Sequence, residues 1–190
     1  MSTPAKTPGV GLSAVFDAHL DAEFVTHDVD ATMATMTDRP DLTHVPVMTG
    51  GSGRDEVRDF YSKYFIGRWP ADLVITHLSR IIGQERVVDE FIASFTHDIE
   101  MPALLLGIAP TGRKAELPHV VVVGFESGKV AYEHIYWDQA SLLVQIGLLD
   151  PAHLPVTGAE QAHRLRNSAV QCNHLIQRAE DERAHPAQRA

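Results

Sequence analysis

The sequence predicts an α+β fold in which helices come first and a twisted antiparallel sheet follows. Two early segments repeat apolar residues at helical spacing, and four later segments have the composition of β-strands. Only Ser127 and Gly128 separate the last two strands, which predicts a tight hairpin between antiparallel neighbours. Because such a sheet can curl around the helices, we expect it to enclose a mostly apolar pocket with a few polar groups pointing inward.

The first predicted helix covers residues 13–27, and a second, short helix covers residues 30–36. The first helix is amphipathic, because polar residues separate apolar residues that recur at helical spacing. Its apolar positions are Val15, Phe16, Leu20 and Phe24, and its polar positions are Asp17, His19, Asp21 and Glu23. Residues 1–12 contain two prolines and two glycines and are expected to be flexible.

A strand over residues 42–48 is expected to stop at residues 49–53, a glycine-rich segment suited to a turn. The clearest early helix then covers residues 54–65 and ends at Trp69-Pro70. Its buried face is predicted to consist of Val57, Phe60, Tyr61, Tyr64 and Phe65.

Four strands are predicted to form the meander, over residues 73–82, 87–99, 117–126 and 129–137. Beyond Pro151 and Pro155, Thr157 and Glu160 form a capping-box pattern that predicts a final helix. The apolar stripe of that helix could pack on the sheet or on a second subunit; it consists of Leu165, Ala169, Cys172, Ile176 and Ala179. We therefore divide the chain into an N-terminus (1–12), a domain (13–150) and a helical extension (151–190).

Composition excludes several classes of protein. The formal charge of −9 argues against a nucleic-acid-binding surface, which needs clustered Lys and Arg. Cys172 is the only cysteine, which excludes an intramolecular disulfide and a thiolate zinc cluster and favours a reducing, cytoplasmic setting. We find neither a signal peptide nor a segment with the roughly 18 apolar residues of a membrane helix, and we expect no membrane partner.

Polar and aromatic side chains are concentrated in the last predicted strand. Strand alternation places Tyr132, His134, Tyr136 and Asp138 on one face, and Glu133, Ile135 and Trp137 on the other. If the face with Asp138 looks into the pocket, its carboxylate lies among aromatic rings, where burial suits it to proton transfer. The alternative is that Asp138 caps the helix or turn that begins at Ala140.

Several histidines are further candidates for the site. A two-residue hairpin would place His119 across from Tyr136, where it could orient or protonate a bound oxygen, or else lie in solvent at a strand end. His97 shares one strand face with Asp89, Phe91 and Phe95, while the other face carries Glu90, Ser94, Thr96 and Asp98, and only one face can point inward. His44 and His27 are weaker candidates, because a lone histidine can equally be structural.

The sequence indicates neither a metal nor an organic cofactor. No compact ligand pair such as HxH or HxxxH is present, although His44, His97 and Glu133 could converge in the fold. The string Gly51-Ser52-Gly53 lacks the spacing of a hydrolase nucleophile elbow, and no GxGxxG follows a strand.

Two strings carry a resemblance to a known family. Residues 107–113, with the sequence Gly-Ile-Ala-Pro-Thr-Gly-Arg, resemble the G-x-x-P-T-G-R turn of SnoaL-like polyketide cyclases, in the nuclear transport factor 2-like superfamily. Residues 128–138 and the string Leu-Leu-Val-Gln-Ile-Gly-Leu at 142–148 are similar to the closing strand and tail of that family. The strings occur in the expected order, and the resemblance covers residues 13–150.

This resemblance implies a cone-shaped barrel, in which a curved antiparallel sheet surrounds the N-terminal helices, that forms a homodimer through its sheet and needs no metal or cofactor. Asp138 matches the position of the family's acid/base aspartate. In that role Asp138 would remove a proton alpha to a carbonyl, with His97 or His119 supporting the oxygen. The residues expected to bind the substrate are Tyr61, Tyr64, Phe65, Trp69, His134, Tyr136 and His44.

Three functional hypotheses follow. The first is a cyclase or isomerase that acts on a small carbonyl compound such as a polyketide ester. The second is a hydrolase of a small ester, lactone or epoxide, in which Asp138 activates water. The third is a binding module without catalysis, whose cavity holds a ligand or whose last helix docks a partner.

Overall fold

The structure, a computed structural model, describes residues 10–185 and begins with two helices. These are α1 (Val10–Phe24) and α2 (Val29–Thr35). Strands β1 (Met36–His44) and β2 (Thr49–Ser52) follow, and then helix α3 (Arg54–Phe60), which continues as a π-helical turn over Tyr61–Phe65. The meander consists of β3 (Val74–Ile82), β4 (Arg86–Thr96), β5 (Lys114–Glu126) and β6 (Lys129–Trp137). The last described helices are α4 (Gln139–Gln145), α5 (Glu160–Arg166) and α6 (His174–Ala184).

The predicted α+β fold class is confirmed. Strand β6 has the predicted bounds, and the hairpin that joins it to β5 contains Ser127 and Gly128 at φ angles of 52° and 77°. Two positive φ angles are what a tight two-residue hairpin of matching twist requires. Helix α1 begins at Val10, earlier than predicted, and residues 1–9 of the predicted flexible N-terminus lie outside the described residues.

The six strands form one open, mixed sheet in the order β2-β1-β6-β5-β4-β3. Strand β1 pairs with β6 in parallel, with Leu42 beside Glu133 and His44 beside Ile135, and all other neighbours are antiparallel. The expectation of a wholly antiparallel sheet is therefore corrected, because β1 enters the sheet beside β6 and runs in the same direction. This pairing joins the N-terminal segment to the middle of the sheet.

The glycine-rich segment after β1 is a strand and not the expected turn. Strand β2 pairs with β1, with Gly50 opposite Thr43 and Gly51 opposite Leu42. A Cβ atom on Gly50 would lie 1.8 Å from the carbonyl oxygen of Leu42, and the Gly50 φ of 142° is one that L-residues rarely adopt. The glycines therefore allow the backbones of β1 and β2 to approach closely. The sequence analysis instead attributed these glycines to a turn.

The helices divide between the two faces of the sheet. Helices α1 to α3 and the π-helical turn cover the face that carries Leu117 and Val123, which we call the inner face, and most of the core lies there. Helix α5 lies on the opposite, outer face, where the Arg166 guanidinium donates to Glu116 at 2.6 Å and to the Ser94 hydroxyl at 3.0 Å. The inner face is thus the side on which a buried pocket can form.

The C-terminal extension contains two helices where the sequence predicted one. Asn173 has a left-handed backbone (φ 70°), so α6 starts in a new direction and the expected stripe through Cys172 is broken. The predicted capping box at Thr157 is also absent, because α5 begins at Glu160 itself. Within residues 10–185, no helix is long and apolar enough to cross a membrane.

The backbone contact at Gly50 generates the first testable prediction. Gly50→Ala should lower the free energy of unfolding by about 2–4 kcal/mol, because a backbone clash adds to an unfavourable φ angle. Gly83→Ala is the matched control: its Cβ would lie 3.4 Å from the nearest atom, and we expect a change within about 1 kcal/mol. Urea unfolding followed by circular dichroism measures both, and equal effects would contradict the close approach of β1 and β2.

Candidate active site

An apolar pocket lies between α1, the π-helical turn and the inner face of the sheet. Four of its lining side chains are polar, namely Glu23, His44, His119 and Glu133, and the remainder are aliphatic or aromatic. The space between the walls is about 520 Å³, counting the part that opens to solvent. The pocket therefore suits a small molecule.

Two carboxylates share one imidazole at the wall of this pocket. Nε2 of His19 lies 2.8 Å from Oε1 of Glu133 and 3.1 Å from Oε1 of Glu23. The Tyr61 hydroxyl donates to Oε1 of Glu133 at 3.2 Å, and all four side chains are buried. We call these four residues the carboxylate–imidazole cluster.

Local structure explains why the four side chains meet. Phe16, His19 and Glu23 are spaced by three and four residues, so they form one stripe of α1 that faces the sheet. Glu133 lies on the inner face of β6 because alternation places it on the same side as the buried Ile135. Tyr61 is the first residue of the π-helical turn, a distortion that frequently occurs at functional sites.

The hydrogen bonds of His19 show where its protons lie. The Thr35 hydroxyl donates to the carbonyl oxygen of Thr32 at 2.6 Å, so at 2.6 Å from His19 it can only accept, and Nδ1 must carry a proton. Nε2 faces two carboxylates and therefore also needs a proton. The arrangement fits a doubly protonated, positively charged His19.

The electrostatics of the cluster agree with this assignment. Burial alone would lower the pKa of His19, but the carboxylates of Glu133 and Glu23 outweigh it and hold that pKa well above 6.5. Burial raises the pKa of Glu23 above its usual value, and the His19 charge offsets only part of this effect. Burial, together with the two carboxylates, likewise raises the pKa of Tyr61 well above 10, so its hydroxyl stays protonated.

His44 and His119 are neutral at physiological pH. Burial lowers the pKa of His44 to about 3, with a further contribution from His119. Burial also lowers the pKa of His119 to about 4, although a hydrogen bond to the carbonyl oxygen of Leu117 opposes the shift. The pocket therefore presents acidic groups from Glu23 and Glu133 and uncharged imidazoles from the sheet.

Asp138, the predicted catalytic residue, lies outside this pocket. It is the N-cap of α4, where its Oδ1 accepts from the Ser141 backbone N–H at 3.1 Å and its Oδ2 accepts from the Gln161 side chain at 2.6 Å. The condition on which its catalytic role depended, that its strand face looks inward, is not met, because the inner face of β6 is the one with Glu133 and Ile135. Both oxygens of Asp138 already serve as structural acceptors.

The other predicted site residues divide into two groups. His134 and Tyr136 share the outer face with Asp138, and the Tyr64 side chain is 47% exposed, so none of these three lines the pocket. His97 is buried elsewhere, where it contacts Thr111 in the turn of residues 107–113. The remaining predicted residues are near the site: Phe65, Trp69, His44 and His119 line the pocket, and Tyr61 belongs to the cluster.

His119 lines the pocket, but its geometry differs from the predicted one. It pairs with Trp137 and not with Tyr136, because the β5–β6 register shifts between Gly124 and Phe125. The shift of one residue puts His119 on the inner face.

Sequence reasoning missed His19 and Glu23 as site residues, and it considered Glu133 only as a possible metal ligand. Their signal was present: His19 and Glu23 are spaced by four residues in α1, and Glu133 alternates with the apolar Ile135 and Trp137. A strand face with more apolar residues is the one that packs inward. The polar residue on that face was therefore the better candidate.

Three members of the cluster also have the donor types of a metal site. His19, Glu23 and Glu133 offer ligand atoms that all lie within 4.8 Å of one another. A metal would have to displace the Nε2 proton that the two carboxylates now accept. The expected absence of a metal stays a prediction.

The fold is one in which helices cover one face of a curved sheet, with a pocket between them. A family model described as "SnoaL-like domain" matches residues 16–133. Because this match covers more than half of the chain, the protein belongs to the SnoaL-like domain family. No curated protein matches the chain in sequence.

Solved structures show the same fold. A protein provisionally named a SnoaL-like polyketide cyclase from Jannaschia sp. CCS1 is 16% identical with a TM-score of 0.61, covering 78% of this chain and all of that one. An NTF2-like protein of unknown function from Burkholderia pseudomallei K96243 is 21% identical (TM-score 0.56, coverage 72% and 98%). A protein with a ketosteroid isomerase-like fold from Catenulispora acidiphila DSM 44928, in complex with trimethylamine, is 13% identical (TM-score 0.54, coverage 78% and 96%).

The second prediction follows from the pKa values of three histidines, since that of His19 is raised and those of His44 and His119 are lowered. In ¹⁵N NMR at pH 7, His19 should show two protonated nitrogens, while His44 and His119 should each show one. On acidification, His119 should become charged near pH 4 and His44 near pH 3. A His19 that titrates near 6.5, or a charged His119 at pH 6, would contradict the described electrostatics.

These shifts also fix the direction of the stability change with pH. Because the folded pKa of His19 is raised, its contribution is complete below pH 6.5 and is lost as the pH rises through the folded pKa. Because the folded pKa values of His44 and His119 are lowered, their contribution is complete above pH 6.5 and is lost as the pH falls through about 4 and 3.

Proposed function

We propose that this protein is a cofactor-independent enzyme of the cyclase or isomerase type, which moves a proton alpha to a carbonyl in a small substrate. The observation that carries this proposal is the carboxylate–imidazole cluster at the wall of an apolar pocket. One imidazolium balances one carboxylate, so the second carboxyl group favours its acid form. The site then contains a base and an acid side by side.

Glu133 is the proposed base. Its Oε1 accepts from His19 and Tyr61, and its Oε2 makes no hydrogen bond with the described residues. Because Glu133 lines the pocket, this second oxygen is available to remove a proton from the carbon next to a substrate carbonyl. The product of that step is an enolate and a neutral Glu133.

Glu23 is the proposed acid. Because His19 can balance only one of the two carboxylates and burial raises the pKa of Glu23, we assign the proton to Glu23, which lines the same pocket as Glu133. A protonated Glu23 can donate to the enolate oxygen, or to the alkoxide that forms when the enolate attacks a second carbonyl. His19 contacts both carboxyl groups and acts as a positioning residue that balances whichever is ionised.

The apolar walls support proton transfer from carbon. Phe24, Phe65 and Trp69 form a connected set of edge-to-face rings, with centroid separations of 5.7–5.9 Å. Such walls exclude water, which strengthens the interaction of the carboxyl groups with developing charge. A hydrolase would instead need room for a water molecule beside the bound substrate, so incorporation of ¹⁸O from labelled water distinguishes that alternative.

The third prediction assigns the catalytic carboxyl groups. The probe is 1-indanone in D₂O, with exchange of the hydrogens alpha to its carbonyl followed by NMR. Glu133→Gln should lower the exchange rate by about 10²–10⁴-fold, because general base catalysis contributes about this much. Glu23→Gln should lower it as well. Glu126→Gln, an exposed residue at the end of β5, is the matched control and should exchange at the wild-type rate.

Asp138→Asn discriminates between the two assignments of the base. If Glu133 is the base, the loss of the Asp138 carboxylate should cost about 1 kcal/mol of stability or less and leave exchange nearly intact, since Asn also caps helices well. Loss of exchange in Asp138→Asn with retention in Glu133→Gln would contradict the proposal. It would restore the role that the family resemblance implies for Asp138.

The fourth prediction concerns assembly. The family resemblance implies a homodimer through the sheet, and two exposed side chains on the outer face, Val120 (37%) and Tyr136 (44%), support it. Light scattering after size exclusion should give about twice the chain mass of 20.9 kDa. Val120→Glu should shift the mass toward a single chain, and a monomeric wild-type protein would refute this part of the proposal.

A further inference from the structure

We propose that His119 is a specificity-determining residue that selects substrates with a hydrogen-bond donor, such as a hydroxyl group, on a small ketone. This inference rests on the proposed function and names the substrate class for the same pocket. It assigns a binding role to a residue on the sheet wall, whereas the proposed chemistry uses Glu23 and Glu133.

The orientation of the His119 ring is fixed. Its Nδ1 lies 2.9 Å from the carbonyl oxygen of Leu117, so Nδ1 carries the proton and donates it. The ring stacks on Phe91 with a centroid separation of 5.0 Å and an interplanar angle of 6°, and Trp137 lies 6.5 Å away. In the neutral ring, Nε2 is therefore a lone-pair acceptor that cannot exchange roles with Nδ1.

Nε2 of His119 has no hydrogen-bond partner among the described residues. The side chain is only 3% exposed and lines the pocket, so any partner for this nitrogen has to come from the pocket itself. A ligand that supplies a donor to this nitrogen gains a hydrogen bond inside a largely apolar pocket. The second imidazole on this wall, His44, has a buried Nδ1 without a partner among the described residues.

The chemistry of the pocket restricts what can occupy this position. A carboxylate or an ether oxygen would place lone pairs against the lone pair of Nε2, whereas a hydroxyl, an enol or an N–H would donate to it. The low pKa of His119 keeps this acceptor neutral at pH 7. The Glu133 carboxylate on the wall of the same pocket also disfavours an anionic ligand. Neutral, hydroxylated ketones remain as the favoured class.

The test measures binding separately from catalysis. Dissociation constants at pH 7 are determined from quenching of tryptophan fluorescence, since Trp69 lines the pocket, for 1-indanone and for its 4-, 5- and 6-hydroxy and matching methoxy derivatives. At least one hydroxy compound should bind about tenfold more tightly than both its methoxy counterpart and 1-indanone. No preference for any hydroxy compound would overturn the inference, whatever variants show.

Variants locate the preference at His119. His119→Phe keeps an aromatic ring against Phe91. In this variant the hydroxy and methoxy compounds should bind about equally well, while the affinity for 1-indanone changes less than threefold. His119→Gln, which offers an amide oxygen as acceptor, should recover part of the preference. His153→Phe, an exposed residue, is the control. A preference that survives in His119→Phe would assign the recognition elsewhere and overturn the inference.

The two proposals fail in distinguishable ways. Because affinity is measured without turnover, a hydroxy preference without deuterium exchange would leave His119 as a specificity residue and reject the proton-transfer chemistry. Exchange of 1-indanone without any hydroxy preference would keep the chemistry and reject the role of His119.

Discussion

The burial of two carboxyl groups beside one imidazole is the constraint on which the rest of this structure depends. Burial of an unpaired carboxylate in an apolar interior costs several kcal/mol. Glu23 and Glu133 can occupy the core because His19 contacts both carboxyl groups and Tyr61 donates a hydrogen bond to Glu133. Helix α1 supplies two members of the cluster, the π-helical turn one and β6 one. The cluster therefore holds the helices against the sheet and, through the same contacts, forms one wall of the pocket.

The pairing of strands in the sheet places the carboxylate–imidazole cluster at the wall of the pocket. The parallel pairing of β1 with β6 sets Leu42 beside Glu133 and His44 beside Ile135, so the acidic cluster and the neutral imidazoles reach the same cavity. The register shift between β5 and β6 adds His119 to that wall. On the outer face Asp138 has a structural role. It caps α4 and accepts a hydrogen bond from the Gln161 side chain of α5.

Sequence reasoning predicted the parts of the fold that depend on local patterns. Strand β6 and its hairpin were predicted correctly, because alternation and the Ser127-Gly128 turn act over a few residues. It failed where tertiary contacts decide. A glycine such as Gly50 suggests a turn, because the sequence does not show its close approach to β1. The apolar spacing through Cys172 suggests one continuous helix, because it does not show the left-handed backbone of Asn173. The site was assigned to the more polar face of β6, although polar side chains accumulate where water or a second element can reach them.

The central claim is that the cluster holds a carboxylic acid and a carboxylate together at neutral pH. Infrared difference spectroscopy tests it directly, since a protonated carboxyl group has a C=O stretch that a carboxylate lacks. The wild-type protein at pH 7 should show the band of a buried carboxylic acid, and Glu23→Gln should remove it. A wild-type spectrum without that band would mean that both carboxyl groups are ionised, and it would contradict the account of the site.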